Sequence, residues 1–348
     1  MVHTQRMGAV AVAEMQAHKP LVGRLMNGVV AQKSLGHLNG GAVIGGFFVQ
    51  VRQPFHGAGG LLARSLKDAV DGRIVMITGA SSGIGQAAAL KIGTEGGTVL
   101  LVARTEAKLR ETAEHIESRG GKALVYPCDL SSPEDIDRMA QEVLDRQGRV
   151  DILVNNAGKS IRRSISRSYE RFHDFQRTMA LNYFGPVKLI LKLLPVMRER
   201  GSGHIVNIST IGLQTNVPRY SAYVASKAAL DAFSRSIAAE IIDDGVHITT
   251  VYMPLVRTPM SAPTQVYDRF PMLSADEAAD LIAEAIRKRP KRIATTLGNL
   301  GQLTYAAVPG AQDLIVNRAY KLFGEGAPPE HETAEQRAFL RATRGVHW

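Results

Sequence analysis

Cysteine is almost missing from this sequence of 348 residues, in which Cys128 is the only one. A single cysteine excludes an intrachain disulfide framework and favours a reducing compartment, so we expect a cytoplasmic protein. Cys128 stands where a predicted strand is about to end. We expect a small, buried, apolar side chain there and not a nucleophile. No metal site is assigned.

Long hydrophobic runs are missing as well, since no apolar stretch reaches the roughly 20 residues that a membrane-spanning helix requires. Acidic residues are scarce beside basic ones, which gives a net charge of +10. Such a charge favours anionic partners, but there is no nucleic-acid-binding motif and no basic run with interleaved aromatic residues. We therefore expect an anionic substrate or a peripheral contact with an anionic membrane surface, and no nucleic acid.

Three segments of the chain differ in composition. Residues 1–70 are basic and glycine-rich and contain only Glu14 and Asp68 as acids. Two interpretations of them are open, a poorly ordered extension or a segment that lies on an anionic membrane. Residues 71–295 have a regular pattern and form the expected folded domain. Residues 296–348 form a tail whose apolar positions predict one or two amphipathic helices.

The segment 71–295 alternates short apolar runs with longer helical stretches. The strand-like runs are Arg73–Thr78, Thr98–Ala103, Ala123–Pro127, Ile152–Asn155, His204–Ile208 and His247–Tyr252, and Arg292–Thr295 is a candidate for a last strand. The helical stretches are Ile84–Thr94, Glu106–Arg119, Pro133–Gln147, Phe172–Arg198, Tyr220–Asp243 and Ala275–Lys288. This alternation predicts an α/β fold of the Rossmann type, a doubly wound parallel sheet covered by helices on both faces.

A glycine-rich turn joins the first strand to the first helix. Gly79 permits the tight turn, Gly83 lets the backbone approach a pyrophosphate, and Gly85 lets the helix pack closely on the strand. The backbone amides at the helix start then favour an anion. We predict a dinucleotide cofactor here. The candidate contacts are Thr78, Gly79, Ser81, Ser82, Gly83, Ile84 and Gly85.

The end of the second strand indicates which nicotinamide cofactor fits. An acidic residue there would bind a ribose 2′-hydroxyl, whereas an arginine suits a 2′-phosphate. Arg104 follows this strand and no acid does, which favours NADP(H), so we expect NADPH/NADP+ as the cofactor. Asp129 follows the third strand and is placed to meet the adenine ring. The turn that follows the fourth strand, Asn155–Gly158 with Ala157, allows close approach of the cofactor.

Tyr223 and Lys227 lie four residues apart in a predicted helix and therefore share one of its faces. A free tyrosine has a pKa near 10, and a nearby ammonium is expected to lower it, so that Tyr223 becomes a usable general acid. Lys227 can also bind the nicotinamide ribose. The preceding strand ends in Ser209 and Thr210, either of which can donate a hydrogen bond to the substrate oxygen. Asn182 is a candidate to hold a water that links Lys227 to solvent.

These motifs, in this order and at this spacing, resemble the short-chain dehydrogenase/reductase family over residues 71–295. The resemblance implies a seven-stranded parallel sheet, hydride transfer to or from a carbonyl, and an Asn–Ser–Tyr–Lys set, here Asn182, a hydroxyl before Tyr223, Tyr223 and Lys227. The family's serine position holds Thr210, which we prefer over Ser209 as the functional hydroxyl. Pro254 and Thr258 match the loop that binds the nicotinamide carboxamide. Leu255 stands there where most relatives have glycine, so we expect it to adopt the backbone shape that glycine supplies.

A narrower resemblance is to bacterial fatty acyl-CoA reductases of the short-chain type. The stretches that carry it are Lys159–Arg163, Arg171–Phe175, Leu181–Gly185, Met253–Met260, Lys288–Thr295 and the closing His347-Trp348. It implies NADPH-dependent reduction of long-chain acyl-CoA to fatty aldehyde with release of CoA. Four basic residues are candidates to meet the CoA phosphates or are solvated surface charges, namely Lys159, Arg162, Arg163 and Arg257.

Cys128 is badly placed for an acyl-enzyme, so direct reduction of the thioester is expected. Two other functions stay open, reduction or oxidation of another lipophilic ketone or alcohol, and an NADP(H) sensor with little turnover. The family resemblance also implies a homo-oligomer.

Overall fold

The computed structural model describes residues 65–324 and 333–344. Its centre is a seven-stranded parallel sheet with the strand order β3-β2-β1-β4-β5-β6-β7. The strands are β1 Ile74–Thr78, β2 Thr98–Ala103, β3 Lys122–Pro127, β4 Ile152–Asn155, β5 Gly203–Thr210, β6 Val246–Met253 and β7 Arg292–Ile293. The predicted doubly wound α/β fold is therefore confirmed, and each predicted strand is present with ends shifted by two residues at most.

Helices connect the strands and extend the chain beyond the sheet. From the start of the described chain to β5 they are α1 Leu66–Val70, α2 Gly83–Thr94, α3 Glu106–Glu117, α4 Pro133–Gln147, α5 Phe172–Met179 and α6 Gly185–Glu199. After β5 they are α7 Gly212–Thr215, α8 Ser221–Glu240, α9 Ala275–Lys288, α10 Thr296–Ala307, α11 Pro309–Leu322 and α12 Ala334–Arg344. Short 3-10 helices lie at Ile165–Arg167, Ile242–Asp244 and Gln265–Arg269.

The sheet is covered on both faces, which explains why its strands are apolar throughout. All five residues of β1 are buried, because the alternate side chains of a central parallel strand enter two different cores. One core packs Val75 and Ile77 against residues of α2 and α9. The other packs Met76 and Leu153 against residues of α4 and α6.

The strand order reverses between β1 and β4, which are neighbours in the sheet although β2 and β3 lie between them in sequence. The chain winds outward from β1 to β3 and then returns to start the second half. Ligands of such sheets bind in the crevice outside the carboxyl ends of the strands, where this reversal occurs. Ligand-binding residues are therefore expected in the turns that follow β1, β4 and β5.

Helix α4 shows how local sequence sets an element boundary. Ser132 accepts a hydrogen bond from the Asp135 amide at 3.2 Å, and Pro133 occupies the first turn, where its missing amide hydrogen costs nothing. Gly148 ends the helix in the left-handed conformation with φ of 71°. These signals are readable in the sequence, and the predicted helix Pro133–Gln147 agrees with the structure.

The predicted helix Phe172–Arg198 is not continuous. A π-helical turn at Ala180–Phe184 separates α5 from α6. Within this turn Asn182 bonds both backbone atoms of Lys159, and Gly185 packs so closely on Leu130 that an added Cβ would lie 2.3 Å from the Leu130 carbonyl oxygen. Pro186 in the first turn of α6 lacks the amide hydrogen that would continue the helix, and these tertiary contacts hold the interruption in place.

By length and composition alone, one described helical segment, Phe172–Glu199, is long and apolar enough to cross a membrane, with a mean hydropathy of 1.2. Helices buried in the core of proteins that have no membrane span pass the same test. Leu189, Ile190 and Leu193 of this segment pack in one of the two cores. The predicted tail contains helices α10, α11 and α12. The expectations for residues 1–64 and for His347-Trp348 lie outside the described residues.

Candidate active site

The turn between β1 and α2 has the shape that a phosphate-binding loop requires. Gly79 and Gly83 adopt positive φ angles of 69° and 57°, which residues with side chains rarely accept. An added Cβ at Gly85 would lie 2.3 Å from the Gly79 carbonyl oxygen. Ser82 at the N-cap of α2 makes no side-chain capping bond, so the first amides of the helix are left for a ligand. This cradle fits the dinucleotide predicted there.

Two predicted cofactor residues turn out to be internal. The Thr78 hydroxyl accepts hydrogen bonds from the amides of Asn156 and Ala157, both at 3.0 Å, and donates to the Val154 carbonyl at 3.2 Å. The Asn155 amide group donates to the Asn207 side chain at 2.8 Å. Both side chains are buried and bonded within the fold, where they shape the β4 turn, although Asn155 Oδ1 has no hydrogen-bond partner.

Arg104 and Asp129 lie at the carboxyl ends of adjacent strands β2 and β3. Arg104 is exposed, and Asp129 is partly buried. Hydrogen bonds from the Ser131 hydroxyl and amide, at 2.5 and 3.0 Å, hold the pKa of Asp129 below its usual value, and the Arg104 charge contributes. The carboxyl ends of β2 and β3 therefore carry a cationic side chain next to a carboxylate that is held in place.

Tyr223 and Lys227 lie in the first turns of α8, which packs beside the carboxyl half of β5. The Lys227 ammonium is buried and donates to the Ile208 carbonyl at 2.7 Å. The Thr210 hydroxyl lies near the Tyr223 phenol, whose pKa it acts to lower, and accepts from the Gly212 amide at 3.1 Å. The structure thus brings together the tyrosine, the lysine and one of the two candidate hydroxyls.

The expected lowering of the tyrosine pKa is wrong for this structure. Burial raises the pKa of Tyr223 to about 12, and the Thr210 hydrogen bond opposes this only in part. Burial also lowers the pKa of Lys227 to about 8. The two shifts share one cause, because a low-dielectric environment disfavours the charged form of each group. Tyr223 is therefore held as a neutral phenol, the form that can donate a proton.

Ser209 occupies a different environment from Thr210, since successive residues of a strand point to opposite faces. Ser209 is buried, and its hydroxyl has no hydrogen-bond partner. Thr210 contacts Tyr223. Both residues line the same cavity, and the preference for Thr210 stays a prediction.

Asn182 lies close to Lys227 across Gly158. A Cβ added at Gly158 would lie 3.4 Å from Asn182 Oδ1 and 3.5 Å from Lys227 Nζ. The Asn182 amide group donates to the Lys159 carbonyl and the Ser226 hydroxyl, both at 2.9 Å, and its oxygen accepts from the Lys159 amide at 2.8 Å. Asn182 thereby fixes the chain beside Lys227, and Gly158 leaves open the space in front of that lysine.

The loop after β6 carries the remaining predicted contacts. Pro254 and Thr258 line the cavity, and the Thr258 methyl group would lie 3.2 Å from a Cβ added at Gly83, so this loop faces the glycine-rich turn. The expectation for Leu255 is wrong. Among described residues with side chains, positive φ angles occur at Asn216, Arg219 and Arg289 and not at Leu255. The loop therefore reaches its place without the glycine conformation.

A cavity of about 1000 Å³ opens above Tyr223, Lys227 and Thr210. Its lining is mostly apolar and comes from the loop after β6 and from the C-terminal helices. The helical contributors include Leu300, Val308, Ile315, Val316, Ala319 and Phe323. The tail predicted as amphipathic is thus part of the candidate site, and it extends the site well beyond the nicotinamide position.

Sequence reasoning missed a tyrosine pair in the cavity wall. The hydroxyls of Tyr220 and Tyr267 are hydrogen-bonded, and their rings stack with centroids 6.5 Å apart. This contact ties the loop after β6 to the start of α8. Tyr220 precedes Tyr223 by one helical turn and was detectable by spacing, whereas Tyr267 follows no sequence pattern.

The four basic residues expected at the CoA phosphates have different surroundings. Arg163 is paired with the buried Asp174 at 3.0 Å, a carboxylate that also pairs with Arg171 and Arg177, and the expectation for Arg163 stays a prediction. Arg162 lines the cavity and donates to the Gly324 carbonyl at 2.9 Å. Arg257 faces Asp268 at 3.4 Å on the surface, and Lys159 is exposed.

Comparison with known proteins agrees with this geometry. The short chain dehydrogenase family profile matches residues 73–267, and the chain therefore belongs to the short-chain dehydrogenase/reductase family of oxidoreductases. A metagenomic short-chain oxidoreductase solved in complex with NADP covers 65% of this chain and 96% of its own, with a TM-score of 0.56 and 30% sequence identity.

Two bacterial relatives extend over most of the chain. A fatty acyl-CoA reductase of Acinetobacter baylyi is 51% identical over 286 residues, which cover 81% of this chain and 97% of the relative. An uncharacterised oxidoreductase of Mycobacterium tuberculosis is 52% identical over 297 residues, covering 82% of this chain and 87% of the relative. Both alignments are longer than the family match and take in part of the terminal segments.

Proposed function

We propose that this protein reduces long-chain fatty acyl-CoA to fatty aldehyde with NADPH and releases CoA. The observation that carries the proposal is the apolar cavity above Tyr223, Lys227 and Thr210. Its volume of about 1000 Å³ is at the upper end for small-molecule sites and suits a long alkyl chain. The extensive identity with a fatty acyl-CoA reductase supports the same substrate class.

The glycine-rich turn and the first turn of α2 hold the pyrophosphate of the cofactor. Arg104 at the end of β2 meets the 2′-phosphate, since no acid stands there to repel it, and Asp129 borders the adenine. Ala157, Pro254 and Thr258 bound the nicotinamide end. When bound, NADPH supplies the hydride for the reduction. Thr78 and Asn155 act indirectly by fixing the turns.

Tyr223 and Thr210 act on the thioester oxygen. As the carbonyl carbon is reduced, negative charge develops on this oxygen, and the Thr210 hydroxyl donates a hydrogen bond to it. Tyr223 donates its proton to the same oxygen. The phenol is protonated at neutral pH, and because its raised pKa makes it a weaker acid, the proton moves only as the oxygen gains negative charge. The buried Lys227 ammonium stabilises the resulting phenolate and binds the ribose. The Ile208 carbonyl holds that lysine, and Asn182 fixes the neighbouring chain at Lys159 and Ser226.

The product of this step is a hemithioacetal, whose collapse breaks the carbon–sulfur bond and gives aldehyde and CoA thiol. No acyl-enzyme is required. Cys128 is buried, and burial with the nearby Asp135 carboxylate raises its pKa to about 12, so it does not form a nucleophilic thiolate. Arg162, at the cavity wall, is the best placed of the four predicted basic residues to contact the CoA moiety.

Replacement of Tyr223 by Phe tests the proposal directly. Tyr223→Phe removes the donated proton and keeps the ring, so NADPH-dependent release of thiol from palmitoyl-CoA is expected to fall about 10²–10⁴-fold, while NADPH binding is retained. Tyr305→Phe, an exposed tyrosine of α10 outside the cavity lining, is the matched control and is expected to leave the rate unchanged. Wild-type protein that reduces ketones but releases no thiol from acyl-CoA would contradict the proposal.

A further inference from the structure

Helices α10 and α11 form a hairpin whose outer surface is apolar. The Thr304 hydroxyl of α10 donates to the Gln312 side chain of α11 at 2.8 Å and fixes the two helices to each other. Large apolar side chains nonetheless point to solvent, and the most exposed are Leu303 at 66%, Leu314 at 73% and Ile315 at 61%. A cluster of this kind marks an interaction surface and not the ordinary scatter of single apolar residues.

This exposed surface is continuous with the wall of the cavity. Leu300, Val308 and Ile315 are about half or more exposed, and the same three side chains also line the cavity. An apolar path therefore runs from the outside of the hairpin into the space above Tyr223. A partner protein bound to this surface would block that path, whereas the acyl region of a lipid bilayer would extend its apolar environment.

The charges of the hairpin favour the same occupant, because two basic residues outnumber its single acid, Asp313. Helix α10 contains no charged residue. On α11, Arg318 and Lys321 follow Leu314 by one and two helical turns and share its exposed face. Basic side chains at the border of an apolar face can reach lipid phosphates while the apolar residues enter the acyl region.

We propose that the α10–α11 hairpin docks on an anionic phospholipid bilayer and opens the cavity to it. Binding of the hairpin to lipid does not depend on the proposed function. Only the purpose of the opening rests on it, because a long acyl chain partitions into lipid. Docking through Leu303 and Leu314 places the cavity mouth against the bilayer, so the chain of the substrate passes between lipid and protein without crossing water.

Vesicle co-sedimentation of the full chain tests the proposal. Wild-type protein is expected to bind vesicles of phosphatidylcholine with about 30% phosphatidylglycerol and to bind pure phosphatidylcholine less strongly. The double variant Leu303→Glu/Leu314→Glu is expected to partition at least about tenfold less, because two apolar anchors are lost and two repelling charges are added. Leu303→Ser/Leu314→Ser removes the anchors alone and is expected to give a smaller loss.

Ile242→Glu is the matched control, since Ile242 is 59% exposed and precedes β6, at the edge of the sheet opposite the cavity. Thermal unfolding and NADPH binding verify that each variant is folded. Equal vesicle binding by wild type and double variant, or no binding by wild type, overturns the proposal. So does a change of oligomeric state in the double variant, which would show that a second copy covers the hairpin. Reduction of octanoyl-CoA without vesicles tests the proposed function separately.

Discussion

Ser209 and Thr210 are adjacent hydroxyl residues with opposite surroundings, and this difference can be measured. Thr210→Val keeps the shape of the side chain and removes the hydrogen bond to Tyr223, so kcat is expected to fall by about 10²–10³. Ser209→Ala removes a buried hydroxyl that has no partner, so stability is expected to be unchanged or slightly higher, with little effect on kcat. Steady-state kinetics of both variants decide the assignment, and the reverse order of effects would assign the role to Ser209.

Burial of the Lys227 ammonium in the site is expected to lower the free energy of unfolding. Burial lowers its pKa from 10.5 to about 8, so between these pH values the unfolded chain binds a proton that the folded chain does not. The free energy of unfolding therefore rises with pH in this window, and below it the folded state carries the full cost of a buried ammonium.

Lys227→Met removes that cost and is expected to raise the free energy of unfolding by about 1–3 kcal/mol near pH 7, with little change above the window. Denaturant unfolding at several pH values, without NADPH, checks this. Lys321→Met, at an exposed position of α11, is the control. A Lys227→Met variant that is less stable near pH 7 would show that the ammonium is stabilised by its contacts.

At the scale of elements, the turn between β1 and α2 depends on packing as well as on ligand binding. Gly85→Ala places a Cβ 2.3 Å from the Gly79 carbonyl oxygen and 2.5 Å from Asn156 Nδ2, so β1, α2 and the β4 turn must separate. NADPH affinity is expected to fall at least about tenfold and stability by about 1–3 kcal/mol. Fluorescence titration and thermal unfolding measure the two effects.

Gly310→Ala is the control for this substitution, because a Cβ at Gly310 meets no atom within 4 Å. As Gly310 lies in α11, this change is expected to leave NADPH affinity unaltered and to stabilise the helix slightly. Equal effects of the two substitutions would mean that the glycine-rich turn tolerates a side chain.

The elements that sequence alone predicted well are those whose pattern is local. The strands are continuous apolar runs, and α4 carries its own start and stop residues, so both were predictable. The π-helical turn at Ala180–Phe184 was predictable only in part, because Pro186 is visible in the sequence whereas the contact of Asn182 with the backbone of Lys159 joins residues distant in sequence. The lowered pKa expected for Tyr223 failed for a related reason, since spacing shows that Lys227 is near but not how far the fold removes each of the two groups from water.

For the whole molecule, the C-terminal helices decide which substrates fit, because they form much of the cavity wall. Ala319→Trp fills part of the space lined by α11 and is expected to lower kcat/KM for palmitoyl-CoA by about tenfold or more, with a smaller effect on octanoyl-CoA. Kinetics across a series of chain lengths give this ratio. Ala307→Trp, on the exposed side of α10, is expected to leave the ratio unchanged.

The contribution of the tail to the cavity could be foreseen only in part. Its apolar spacing predicted helices, but the position of α10 against α7 depends on Gly298 and Gly301, which pack on Gln214 and Thr215. The contact between Tyr220 and Tyr267 likewise joins segments that are distant in sequence. Such contacts depend on the complete fold and produce no periodic pattern in the sequence.

Reduction of palmitoyl-CoA, with NADPH oxidation, free thiol and aldehyde followed together, tests the central claim most directly. The account predicts that thiol and aldehyde appear in amounts equal to the NADPH consumed, that NADH is used less well, and that no acyl group becomes attached to Cys128. NADPH oxidation with ketones or aldehydes but no thiol from palmitoyl-CoA would contradict it, and would make the protein a reductase of a different lipophilic carbonyl compound.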